Sequence, residues 1–119
     1  MTNQPEFGFV IEYVTDIEAA RDFYEQVLGL DVERVAPTFV QYHNFAIASD
    51  ESLSGTRQPE LYWLVPDAEA AYNDLSQKAE VVYPLKQMPF GKVFGIKDPA
   101  GQPQFLLELA ADRPSRPVR

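Results

Sequence analysis

The chain repeats itself. Val14-Thr15-Asp16-Ile17-Glu18-Ala19-Ala20 returns as Val65-Pro66-Asp67-Ala68-Glu69-Ala70-Ala71, five of seven residues identical at an offset of 51. Each copy follows an apolar, aromatic-rich run and opens a helical pattern. Self-similarity at a fixed period marks repeated supersecondary units. With 119 residues in all, neither unit can bury a sheet alone, so the two must share one small domain.

In the first copy, residues 7–14 read as a strand. Thr15 offers an N-cap hydroxyl, and Glu18 three residues later completes a capping box. Ile17, Ala20, Tyr24, Val27 and Leu28 recur at helical spacing. Gly29 stands where a left-handed C-terminal cap is wanted. Residues 30–35 predict a short strand, ended by Pro37, and residues 38–43 and 45–48 a hairpin turning near Asn44.

In the second copy, residues 60–65 predict a strand. Pro66 suits a first helical turn, where its missing N–H is not needed. A helix over 68–78 follows, with Ala68, Ala71, Tyr72 and Leu75 inward. Strands over 79–85, 91–97 and 103–110 complete the unit, the last two joined by the turn Asp98-Pro99-Ala100-Gly101. The predicted class is α+β: paired βαβββ modules forming a curved mixed sheet around a cleft, where a ligand belongs. The first module covers 1–50, a polar linker 51–58, the second module 59–111, and a disordered proline–arginine tail 112–119.

Composition narrows the function. No cysteine is present, which excludes a disulfide scaffold, thiolate metal sites and a cysteine nucleophile. Net charge is −8, and three of the ten basic residues, Arg113, Arg116 and Arg119, follow Asp112, so the body is more acidic still. Such a surface repels phosphate backbones and favours a cationic ligand. Residues 1–6 are polar, and no apolar run is long enough to span a bilayer. The expectation is a cytoplasmic protein that engages neither nucleic acid nor membrane.

Aromatics make up 13% of the chain. Regular alternation puts Phe9, Tyr13 and Tyr62 on one strand face, as cleft lining or as core. Phe39 and Phe90 flank turns, where ligand contacts concentrate. Glu60 could anchor an ammonium or guanidinium, or pair with Arg57 or Lys92. Glu12 falls on the helix-facing side of its strand and marks a dimer contact or a bulge. His43, the sole histidine, is either a general base or an exposed turn residue. No Ser-His-Asp order, phosphate-cradling glycine loop or acid pair stands out.

Residues 9–30 (FVIEYVTDIEAARDFYEQVLGL) and 89–101 (PFGKVFGIKDPAG) resemble the vicinal oxygen chelate superfamily, which includes glyoxalase I, extradiol dioxygenases, fosfomycin-modifying enzymes and bleomycin-resistance proteins. The resemblance spans residues 7–110. It implies the paired βαβββ fold, a homodimer, and, in the enzymes, a divalent metal held by His, Gln or Glu. The family's ligand positions fall here on Phe9, Glu60 and Phe105, with a fourth in 45–48, which offers no carboxylate or imidazole. A phenyl ring has no lone pair for a hard cation. His43, Glu60 and Glu108 would make an atypical facial triad for one divalent metal such as Fe, Mn, Ni or Zn, and the chain would then be a metal-dependent lyase, isomerase or dioxygenase.

The nearer resemblance is to bleomycin-resistance proteins, which lack the metal and sequester a cationic aromatic antibiotic at the dimer interface. Phe90-Gly91 and Phe39 match aromatic positions of that subgroup, and Tyr62 falls where an aromatic lines the groove. Phe90 replaces the usual tryptophan, and Phe105 a polar residue. The resemblance therefore implies sequestration of a small aromatic or cationic drug or metabolite without a cofactor. The expected ligand-binding residues are Phe9, Tyr13, Phe39, Glu60, Tyr62, Phe90 and Phe105. No catalytic residue is assigned.

Overall fold

A computed structural model describes residues 4–110. The expected tail, 112–119, lies outside the described residues. The chain forms two compact units: Phe9–Glu60, and the residues from Leu61 onward together with the start of the chain up to Gly8.

The first unit contains β1 (Glu6–Tyr13) from Phe9 onward, α1 (Ile17–Arg21), a π-helical turn (Asp22–Val27), β2 (Arg34–Ala36), β3 (Phe39–Gln41) and β4 (Phe45–Ala48). Its strands lie in the order β2-β3-β4-β1. β1 and β4 are parallel, with Val10 opposite Phe45 and Tyr13 opposite Ala48. The other pairs are antiparallel. The second unit contains β5 (Glu60–Leu64) from Leu61 onward, α2 (Ala68–Leu75), β6 (Val81–Met88), β7 (Gly91–Lys97) and β8 (Pro103–Leu109). Its order is β5-β8-β7-β6, again with one parallel pair, β5 and β8. The α+β class and the βαβββ order predicted from the repeat are both observed.

The repeat has a local physical cause. Asp16 and Asp67, identical in the two copies, are the helix N-caps. Each is extended in backbone, and each carboxylate accepts the N–H three residues on, from Ala19 and Ala70, both at 3.1 Å. This corrects two expectations. Thr15 is not the cap, and Pro66 precedes the cap rather than entering the first turn. A carboxylate beside the helix N-terminus also meets the positive end of its dipole.

The first helix is not the single α-helix expected over 17–28. After Arg21 it widens to π geometry, and the Leu28 N–H donates five residues back to Phe23 at 3.0 Å. Within this wider turn the adjacent Tyr24 and Glu25 reach Glu12 and Tyr42 respectively. The predicted left-handed residue follows at Gly29, φ 75°. α2 is regular but stops at Leu75, short of the expected Lys78.

Each helix covers one face of its own strands. In the first unit Val40, Tyr42 and Ile47 are buried against Ile17, Ala20 and Tyr24. In the second, Val65, Ala68, Ala71, Phe94 and Leu106 pack with Tyr72 and Leu75. Gly91 has φ 146°, and a Cβ there would overlap the Glu108 carbonyl oxygen, so the turn into β7 admits only glycine. β6 lies at the end of its unit's strand order and contains Pro84 inside the register shift between Tyr83 and Lys86, where a missing N–H breaks no regular ladder.

Candidate functional site

The expected ligand anchor, Glu60, is 2% exposed and has partners for both oxygens within its own unit. The Tyr13 hydroxyl donates to Oε1 at 2.7 Å, and the Ser54 backbone N–H donates to Oε2 at 2.8 Å. Burial of a carboxylate is tolerable only with such partners. The guanidinium of Arg57 lies 5.9 Å from the Tyr13 ring centroid. It donates to the carbonyls of Asp50 at 3.1 Å and Val14 at 3.0 Å. The Arg57 N–H donates to Oγ of buried Ser52 at 2.9 Å. Residues 51–58, expected as a plain linker, are therefore a folded strap tied to β1 and Glu60. Lys92, the other expected partner of Glu60, pairs with Glu69 at 3.6 Å.

A second polar set lies on the helix-facing side of the same unit. Glu12 faces the helix, as alternation requires, and accepts from the Tyr24 hydroxyl at 2.5 Å. Its partner is thus the helix. That hydrogen bond, helped by burial, pushes the Tyr24 phenol up to about 12. The Tyr42 hydroxyl donates to Glu25 at 2.8 Å. Burial, then Glu25, raises Tyr42 to about 12. Arg21 donates to Glu25 at 2.7 Å and holds that carboxyl below its ordinary range.

The aromatic expectations divide. Phe9, Tyr62 and Phe105 are 4%, 3% and 0% exposed. Phe9 meets Phe39 edge-on, with centroids 6.0 Å apart. Tyr62 and Tyr83 stack on Phe105 at 5.0 and 5.4 Å. Phe9, Tyr62 and Phe105, expected to bind the ligand, are buried among these rings in this structure. Tyr13, Phe39 and Phe90 stay half-buried. Two surface hollows contain none of the expected residues. One, about 490 Å³, is lined by Gln4, Glu6, Leu64, Val65 and Pro66. The other, about 350 Å³, lies against Ile17, Arg21, Val35 and Val40.

Each residue of the alternative metal triad has other surroundings within its own unit. His43 sits in a left-handed turn with its ring largely exposed, 3.4 Å from Glu33. Glu108 faces α2 and accepts the Ala68 N–H at 2.9 Å. Glu60 is engaged as described. Among the described residues, no group of three His, Cys, Asp or Glu side chains has the disposition to hold a metal ion. Phe9 and Phe105, at two positions that the resemblance assigns to metal ligands, have no donor atom to offer a hard cation.

Sequence reasoning named Arg57 only as a partner of Glu60, and missed Ser54 and Tyr83. The signals were thin. Arg57 is the lone cation of a polar stretch. Tyr83 is readable only through register, because Gly95 lies opposite both Tyr83 and Phe105 and leaves room for their rings.

The comparisons agree with this architecture. A Legionella pneumophila structure described as an NAD-dependent benzaldehyde dehydrogenase is 22% identical, with TM-score 0.75, over 87% of this chain and 99% of that one. A glyoxalase/bleomycin resistance protein/dioxygenase superfamily member from Vibrio splendidus is 19% identical, with TM-score 0.65, over 88% and 99%. The E323L mutant of homoprotocatechuate 2,3-dioxygenase from Brevibacterium fuscum is 20% identical, with TM-score 0.56, over 93% of this chain but 35% of that one. At these identities the likeness is one of fold. No curated protein matches. No helix among the described residues is long and apolar enough to cross a membrane. Residues 7–103 match the family model, and the chain belongs to the glyoxalase/bleomycin resistance protein/dioxygenase superfamily.

Proposed function

We propose that this chain binds a small organic ligand, aromatic or cationic, without a metal, and sequesters it rather than transforming it. The observation that carries the reading is the donor chemistry at the positions the family resemblance assigns to metal ligands. Phe9 and Phe105 are phenyl rings, and both oxygens of Glu60 are held by Tyr13 and Ser54. Half-buried Phe39 and Phe90 are the ring contacts assigned to the ligand. The net charge of −8 draws cations toward the surface. The working assembly is a homodimer in the cytoplasm.

The test begins with metal content by plasma mass spectrometry after loading with Mn, Fe, Ni and Zn. A panel of cationic aromatic compounds is then screened by thermal shift. The expected result is no retained metal and a panel member that raises Tm in the wild type, less in Phe39→Ala or Phe90→Ala. Stoichiometric metal retention with activity on a dicarbonyl or catechol would overturn the reading in favour of a metal-dependent enzyme.

A further inference from the structure

The strap over residues 51–58 carries a cation of its own onto an aromatic ring. The Arg57 guanidinium lies 5.9 Å from the centroid of Tyr13, and Tyr13 donates to the buried Glu60 carboxylate. A cation within about 6 Å of a tyrosine ring centroid is attracted by the ring's quadrupole, and ligand cations use the same attraction. Here the cation is supplied by the chain. It is fastened at three points: Nη1 to Asp50, Nη2 to Val14, and its backbone N–H to Ser52. The fastening has a backbone cost, since Arg57 sits at φ 60°, a left-handed conformation unfavourable to a residue with a side chain. Both Arg57 and Tyr13 are half-buried, so solvent reaches the contact.

We propose that Arg57 is an autoinhibitory cation: it occupies the face of the Tyr13 ring, and a planar cationic ligand gains that face by displacing it. The inference rests on the cation-binding reading above and adds its regulation. Binding then carries the cost of opening the strap, which lowers apparent affinity by the fraction of molecules that are open. A ligand cation that reaches Tyr13 frees the 51–58 strap, whose released backbone becomes the reporter of occupancy.

The test uses benzamidine, a planar aromatic cation, with neutral benzamide as control, by isothermal calorimetry on the full chain. Arg57→Gly removes the guanidinium and, having no Cβ, relieves the left-handed backbone. The expected result is benzamidine binding about tenfold tighter in Arg57→Gly than in the wild type, reflecting the removed opening cost. Adding Tyr13→Leu should cancel the gain, and benzamide should not distinguish the proteins. Arg57→Lys, which keeps a charge in the strap, should stay near the wild type. Hydrogen exchange of the 51–58 amides should rise on benzamidine binding to the wild type. Equal or weaker binding in Arg57→Gly, or no binding to either protein, overturns the proposal. A panel compound that still binds through Phe39 or Phe90, equally in both proteins, would show that the sequestration reading survives and that only the role of Arg57 has failed.

Discussion

The two units share a topology and differ in what holds them. The second is a dry core. Phe105 is sandwiched by Tyr62 and Tyr83, Gly95 makes room for the rings, and a regular α2 lies over Phe94 and Leu106. The first relies on buried polar pairs: Tyr24 with Glu12, Tyr42 and Arg21 with Glu25, Tyr13 and Ser54 with Glu60. It also leaves Phe23, Val27, Leu28, Val32 and Val35 exposed. One strand order can therefore be stabilised by ring packing or by directional hydrogen bonds. The second route makes a unit answerable to pH and to single polar substitutions.

The sharpest way to break the contrast is Phe105→Ala. It should cost about 3–5 kcal/mol in urea denaturation, as a large buried ring leaves a cavity. A loss under about 1 kcal/mol would show that the second core collapses readily and is not the tighter one. Next comes Glu25→Ala, which strands the Tyr42 hydroxyl and Arg21, and should cost about 2 kcal/mol by the same measurement. The two cap variants, Asp16→Ala and Asp67→Ala, should each cost about 1 kcal/mol, and equally, because the cap geometry is shared. Unequal losses would show that the π-helical turn changes the value of its cap.

The smallest effect is on pH. Tyr24 and Tyr42 are raised from 10 to about 12 in the folded chain. Their contribution is complete below pH 10 and is lost as pH climbs toward 12, because the unfolded phenols ionise first. Glu25 is lowered and works in the opposite sense: its contribution is present above 4.5 and fades as pH falls. Denaturation melts across alkaline pH should show the loss in the wild type and not in the Tyr24→Phe/Tyr42→Phe double variant.

Much of the fold was legible in the sequence because it is written in local rules. Period and alternation located eight strands and two helices, and the shared Asp-x-Glu-Ala-Ala marked both helix starts. The identity of the cap was misread because Thr15 and Asp16 both satisfy the same composition rule, and only backbone geometry chooses between them. The π-helical turn was invisible because apolar spacing alone does not distinguish it from a regular helix. The candidate site was legible as a set of residue types and poorly legible as an arrangement. Phe9, Tyr13 and Tyr62 read alike as lining or core from alternation alone, yet the first and last are buried and Tyr13 is half-buried. The tie from Glu60 to Ser54 depends on a strap whose path no periodicity encodes.

Pro84 has a consequence for handling the protein at high concentration. β6 and β2 each end the strand order of their own unit, and a terminal strand offers open backbone donors and acceptors to any passing chain. β6 answers with a residue that has no donor, inside a register shift and followed by exposed Lys86. β2 is three residues long and is followed at once by Pro37. Neither strand is a straight, fully hydrogen-bonding template, so these two edges resist growth into cross-β fibres.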